Sequence, residues 1–272
     1  MQKLFDFRAV SAENYPQLIS LFKTVFNDSD ESVNNFFRNT VTPENTLAVF
    51  NGEEVVSELF LVDSVITVAG TEYPAFYVYG VCTNPDYRGQ GLMTMLLNEA
   101  EILAKKRGVK YLFLVPEGEK LFNMYGKLGY KTGFFYKEEL VNADASANVF
   151  SKELLTYPVY KKLRKEFYNG STATLGEKGF DSFMKPSCND VQIIYGKDAG
   201  YCVAENDGKG VIIHELCGDK QMLVDAVGKA YNCSRFLLRT AAVLGGVPFG
   251  MYKNIDNSPE ITNGFFGIPY GV

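Results

Sequence analysis

Tryptophan is absent from this chain of 272 residues, and histidine occurs once, at His214. The five cysteines, Cys82, Cys188, Cys202, Cys217 and Cys233, never form a CxxC pair. A zinc site needs about four clustered Cys or His ligands and a disulfide framework needs regular cysteine spacing, so both readings are disfavoured. No run of about 18 apolar residues occurs, and Met1-Gln2-Lys3-Leu4-Phe5-Asp6 lacks the basic segment and apolar run of a signal peptide. These absences predict a soluble, cytoplasmic protein without a membrane partner. Basic charge is also scarce: the formal net charge is −5, so no broad basic stripe is available to displace counterions from nucleic acid. The densest basic run, Lys161-Lys162-Leu163-Arg164-Lys165, reads as a solvated helix face.

What is present is ordinary in composition, with 46% hydrophobic and 22% charged residues, enough for a sizeable core. From Ser11 to Phe26, apolar residues at Tyr15, Leu18, Ile19, Phe22 and Phe26 follow the three-and-four spacing of an amphipathic helix, and Val33, Phe36 and Phe37 mark a second. Runs at 46–50 and 55–62 flank Asn51-Gly52, a hairpin-turn signal, and 73–83 adds another β-rich run. A helix then carries Leu92, Met95, Leu96, Leu103 and Ala104 and stops at Gly108. Strand, helix and strand follow at 111–115, 119–128 and 130–140, which together make an α/β unit.

Residues 142–149, small and polar for most of their length, read as a linker between a first domain at 1–141 and a second at 150–272. The second half is expected to hold helices near 152–168 and around Phe180, strands at 201–205 and 211–216, and a helix at 219–231. Strands at 235–238, 249–255 and 265–270 complete it. The similar order of elements suggests duplicated topology, although no residue-level repeat is present.

The most informative stretch is Val81-Cys82-Thr83-Asn84-Pro85-Asp86-Tyr87-Arg88-Gly89-Gln90-Gly91-Leu92-Met93, an apolar strand that breaks into a glycine-bearing loop and opens a helix. Glycines 89 and 91 remove β-carbons that would block backbone approach, and the helix start contributes unpaired N–H groups, so the segment reads as a pyrophosphate cradle. The dinucleotide fingerprint would need glycine where Thr94 stands, and the lysine of a phosphate-binding P-loop is missing, which demotes NAD and ATP. Gly245-Gly246-Val247-Pro248 opens no comparable helix in the second half.

Arg88-Gly89-Gln90-Gly91, with Tyr125-Gly126-Lys127-Leu128-Gly129-Tyr130 roughly one strand and one helix later, resembles the GCN5-related N-acetyltransferase (GNAT) superfamily. The first motif is similar to that family's Arg/Gln-x-x-Gly-x-Gly/Ala loop at Arg88 and Gly91, with Met93 where a small residue is usual. The second is similar to its Tyr-x-x-x-Gly-Phe/Tyr motif. The resemblance implies an α/β GNAT fold with a mixed central sheet over about residues 1–140. The remainder resembles, more weakly, the second and smaller GNAT-like half of the tandem enhanced-intracellular-survival acetyltransferases, without their further sterol-carrier-like domain. It also implies acetyl-CoA as cofactor, held by Val81, Cys82 and Thr83 along a strand edge and by Arg88, Gly89, Gln90, Gly91, Leu92 and Met93 in the loop.

Acetyl transfer to an amine needs a neutral nucleophile, a polarised thioester and a proton for the departing thiolate. Tyr125 is the candidate acid, because a phenol with pKa about 10 stays protonated at neutral pH. Glu58 and Glu117 are candidate bases, and the tandem relatives suggest the carboxylate of Val272 as a third. Cys82 reads as a buried filler rather than a nucleophile, and His214 as structural. The expected function is N-acetylation of a small-molecule or peptide amine within a ternary complex. A non-catalytic CoA-binding or sensory module is the alternative, and a tRNA-dependent aminoacyl transferase is a third reading that the acidic balance disfavours. The sequence leaves the oligomeric state open.

Overall fold

Strand β1 (Phe5–Arg8) opens the computed structural model, which describes residues 5–144, 146–184, 191–242 and 245–267. It pairs antiparallel with β2 (Thr46–Asn51), which turns through Gly52, at φ +64°, into β3 (Glu54–Val68). A second tight turn, with Ala69 and Gly70 both at positive φ, leads into β4 (Thr71–Thr83). Two successive positive φ values match the strand twist of a two-residue hairpin, which explains why small residues stand there. Helices α1 (Tyr15–Phe26) and α2 (Asp30–Asn39) pack Leu18, Leu21, Phe22, Val33, Phe36 and Phe37 on one face of these strands. Helices α3 (Leu92–Lys106) and α4 (Gly118–Lys127) cover the other face with Leu92, Leu96, Leu97 and Tyr125. Each such large apolar side chain, once buried, stabilises the fold by about 1.5–3 kcal/mol.

Between those helices β5 (Tyr111–Leu114) joins β4 in parallel, and β6 (Lys131–Asn142) follows α4. Beyond Asn142 come α5 (Tyr157–Phe167), β7 (Thr172–Leu175), α6 (Glu177–Phe183), β8 (Val191–Gly196) and β9 (Gly200–Asn206). Then follow β10 (Val211–Gly218), α7 (Lys220–Tyr231), β11 (Arg235–Ala241) and β12 (Val247–Asn254). β10 and β11 are parallel and α7 joins them, repeating the arrangement of β4, α3 and β5. Among the described residues one sheet runs in the order β1-β2-β3-β4-β5-β12-β6-β11-β10-β9-β8, with β7 paired to β3 off this path.

This topology crosses the boundary expected at 142–149. β12, from the far end of the chain, lies between β5 and β6 and is antiparallel to both, while β6 extends onward to pair with β11. Residues 172–175 likewise pair with Ser64–Thr67 of β3. The two halves have therefore exchanged strands across a shared sheet rather than folded beside each other. The strand expected at 265–270 is reduced to single bridges, Gly264 with Phe134 and Phe265 with Thr172; Ile268–Tyr270 lie outside the described residues, as does Cys188.

The basic run on α5 also needs correction. Arg164 turns inward with 2% of its side chain exposed and forms an ion pair with Glu215 of β10, itself fully buried. Its Nε donates to Thr174 Oγ1 at 3.1 Å and Nη2 donates to the Ala173 carbonyl at 2.7 Å, so one guanidinium ties α5, β7 and β10 together. A charge is tolerated at such a position only when it is paired and hydrogen-bonded, and Arg164 is both. The face is thus amphipathic, with Arg164 on its buried side and Lys162 and Lys165 exposed.

Candidate active site

Gly91 caps α3 at φ +78° without a side-chain hydrogen bond, and Gly89 stands at φ +76°. A β-carbon at either position would meet no protein atom within 4 Å, so neighbouring packing does not demand these glycines. The left-handed backbone does, and it leaves a surface that a ligand can approach closely. The N–H groups of Gly89, Gly91, Leu92, Met93 and Thr94 have no backbone partner among the described residues, while Gln90 closes the turn at Arg88–Gly89. Five such donors at the positive end of a 15-residue helix can face an anion. Arg88 is exposed beside them, its Nε donating to the Thr83 carbonyl at 3.2 Å. Met93 is half-buried and packs against the α3-side core.

Strand β4 supplies the next part. Among the described residues it pairs with β5 only at Ala75, Phe76 and Tyr77, so from Val78 to Thr83 its edge on that side has no strand neighbour among them. A bulge between β3 and β4 sets this divergence, with the register slipping between Glu58–Cys82 and Phe60–Tyr79. Gly80 sits in the bulge at φ +61°, where a β-carbon would lie 2.7 Å from the Phe22 ring and 2.9 Å from that of Phe60. A bulge adds local twist and bends the strand, here away from β5. A lone glycine inside a strand pattern is the sequence signal that could have found it.

The gap between the diverging strands is a cavity of about 720 Å³. Val81, Leu121, Phe122 and Tyr125 line it from the α3–α4 face of the sheet, and Phe22, Phe26, Tyr79 and Phe249 from the α1 face. It passes through the sheet, so two ligands can meet in it from opposite sides. The Tyr125 hydroxyl has no hydrogen-bond partner among the described residues, and burial pushes its pKa up to about 12. It is a proton donor with a vacant acceptor position.

The candidate bases separate. Glu117 lies at the cavity wall, exposed, at the start of α4, and its side chain makes no capping hydrogen bond. Glu58 does not line the cavity: it is fully buried on the α1 side of β3, its Oε1 accepting from Cys82 Sγ at 3.6 Å and its Oε2 unpartnered. Burial raises the pKa of both this carboxyl and the Cys82 thiol, favouring their neutral forms. Glu58 was expected to face the acceptor cleft, but the strand irregularities around it turn its side chain into the core. Only the backbone of Cys82 remains available along the open edge. Val272 lies outside the described residues.

Sequence reasoning missed Asp28. It lines the α1 side of the cavity, makes no hydrogen bond or ion pair among the described residues, and desolvation raises its pKa to about 6.

By sequence, residues 6–133, just under half of the chain, match the acetyltransferase (GNAT) domain family. This part of the chain is similar to a GNAT domain. By fold, the whole chain is similar to a crystal structure of a GCN5-related N-acetyltransferase from Anabaena variabilis, with a TM-score of 0.70 and 15% identity over 93% of this chain and 73% of that one. A GCN5-related N-acetyltransferase from Kribbella flavida gives 0.71 and 14%, covering 92% and 70%. Eis1 from Mycobacterium abscessus gives 0.64 and 13%, covering 93% and 74%. At these identities the likeness is one of fold. No curated protein matches the sequence.

The glycine loop lies within the residues that match the family, and among the described residues the second half shows no counterpart. In the second half, Gly218 and Asp219 connect β10 directly to α7, and Asp219 accepts from the Met222 N–H at 2.9 Å. His214 of β10 bonds Glu205 through Nε2 at 2.8 Å and meets Arg239 Nη1 through Nδ1 at 3.1 Å, the structural place expected for it. Among the described residues no group of His, Cys, Asp and Glu is arranged to hold a metal, and no helix is long and apolar enough to cross a membrane.

Proposed function

We propose that the protein is an acetyl-CoA-dependent N-acetyltransferase that transfers the acetyl group directly to an amine seated in the through-sheet cavity. The observation that carries this reading is continuity: a row of five N–H groups without a backbone partner among the described residues, an unpaired strand edge and a cavity lined from both faces of the sheet follow one another. The backbone of Gly89 to Thr94 suits a pyrophosphate, and Arg88 adds a charge-assisted donor. The open edge from Val81 to Thr83 suits an amide-bearing arm, since it offers unpaired backbone groups in strand geometry. When bound, acetyl-CoA supplies an activated thioester.

The chain's own residues supply the rest. Tyr125 holds a proton where a departing sulfur needs one. Asp28, ionised above pH about 6, can hold an ammonium group in the cavity, and Glu117 can take a proton at its wall. Two observations weigh against a non-catalytic module: Met93 packs against the α3-side core, and carboxylates line the cavity.

The test is thermal unfolding with acetyl-CoA, followed by thiol release in the presence of amines. Ligand at about 100 times its dissociation constant stabilises by roughly 2.7 kcal/mol, and Gly91→Asp is expected to abolish that gain. Tyr125→Phe is expected to slow turnover by about 100-fold while leaving acetyl-CoA affinity within about twofold. Absence of any stabilisation of the unaltered protein sinks the reading; unaltered turnover in Tyr125→Phe removes the acid role alone.

A further inference from the structure

Acyl transfer by itself does not require the composition of the cavity wall on the α1 side. Phe22 and Phe26 from α1, Tyr79 from β4, Tyr136 from β6 and Phe249 from β12 line the cavity together with Asp28. Neighbouring contacts hold these rings in place. The centroids of Phe22 and Tyr79 are 6.0 Å apart, Tyr136 and Phe249 meet edge to face at 5.5 Å, and the Arg239 guanidinium lies 4.5 Å from the Tyr136 ring centre. The Asp28 carboxylate has no cationic partner among the described residues; Lys23, near the end of α1, pairs with Asp30 at the start of α2.

We propose that the acceptor is a monocationic primary amine on an apolar, ring-bearing body, an arylalkylamine, with its ammonium beside Asp28 and its ring among Phe26, Tyr79 and Phe249. This rests on the acyl-transfer reading above. A half-buried, unpaired carboxylate is unfavourable in the free protein, as its raised pKa records, and an arriving ammonium relieves it. Aromatic faces attract the same cation and accept the apolar body. An amino sugar would bring several hydroxyls to a wall made mostly of rings, with the Asp28 carboxylate among them. A polyamine would bring a second ammonium, and the other carboxylates of the cavity wall, Glu117 and Glu119, are exposed at the start of α4, where water already solvates them, so they gain less from pairing. In the reaction the ammonium first loses one proton to water. The nitrogen then forms the C–N bond as the thioester C–S bond breaks, its second proton leaves, and sulfur takes up one. The products are the amide and free CoA thiol, with one proton released overall.

Thiol release from acetyl-CoA is to be measured at about pH 8, where Asp28 is ionised, with phenethylamine, glucosamine and spermidine. Calorimetric binding of each amine to CoA-saturated protein runs in parallel. Phenethylamine is expected to exceed the other two by about 10–100-fold in kcat/KM, the range an apolar pocket commands. Asp28→Asn is expected to weaken phenethylamine binding at least about tenfold without lowering the melting temperature, and Phe249→Ala to weaken it less. Equal or faster turnover of glucosamine or spermidine overturns the proposal and leaves acyl transfer standing. Phenethylamine affinity unchanged in Asp28→Asn, or binding without thiol release, also overturns it. Octanoyl-CoA that replaces acetyl-CoA fully and excludes phenethylamine would assign the ring wall to an acyl chain instead. Failure of acetyl-CoA itself to bind, measured separately, brings down the underlying reading.

Discussion

Helices α3 and α7 hold equivalent places, each leaving one strand and leading to its parallel neighbour, yet their N-termini are chemically opposite. α3 is entered through the loop from Asn84 to Gly91 and presents bare N–H groups; α7 is entered through Gly218-Asp219, and the Asp219 carboxylate caps its start. A helix start that attracts anions becomes one that repels them when the loop is shortened and an acidic cap is added. The interior carboxylates differ in the same sense. Asp28 is unpaired and faces a cavity, whereas Glu215 is matched to Arg164 and to the Tyr201 hydroxyl, which donates to its Oε1. The two halves thus share an architecture and differ in which polar groups are left unsatisfied.

The strongest way to break this comparison is Arg164→Met, which strands Glu215 in the interior. It is expected to destabilise the fold by about 3–5 kcal/mol in denaturant titration, and adding Glu215→Gln is expected to recover part of that loss. A loss below about 1 kcal/mol would mean that the pair is not structural. Asp219→Ala removes only a cap and is expected to lower stability by about 1 kcal/mol, with acetyl-CoA stoichiometry unchanged at about one per chain. A second bound equivalent in this variant would show that the acidic cap alone had closed the site.

The smallest effect concerns Asp28. Its pKa in the folded protein lies above the unfolded value, so the folded state binds the proton more tightly and loses stability as pH rises from about 4 through about 6. Asp28→Asn removes this dependence. It is expected to melt with the unaltered protein near pH 4 and above it at pH 8, by less than about 1 kcal/mol because the group is half exposed. Identical melting curves at both pH values would mean that Asp28 is fully solvated.

The loop at residues 88–91 was legible because two glycines opening a helix carry their own stereochemical reason, and Tyr125 was legible through its spacing to Gly129 and Tyr130. Asp28 was hidden by its neighbours. Asn27 at φ +56° ends α1, and Ser29 accepts from the Ser32 N–H to start α2, so Asn27-Asp28-Ser29 reads locally as a link between helices. Glu58 stood out as a carboxylate in an apolar strand, but its direction depends on bulges that alternation cannot register. The short strand Thr172–Leu175 and the position of β12 were invisible for another reason: their own residues specify a strand and say nothing about a partner about a hundred positions or more away.

The position of β12 also governs the order in which the molecule can be made. A parallel pair such as β4 and β5 can form once residue 114 is available, but the place between β5 and β6 stays empty until the strand ending at Asn254 arrives. Loop closure over that span is slow compared with local helix formation, and an unfilled gap exposes two strand edges. During synthesis the GNAT-like part therefore waits, incomplete, for nearly the whole chain to emerge, and a fragment ending at the supposed linker would lack the strand that closes its own sheet.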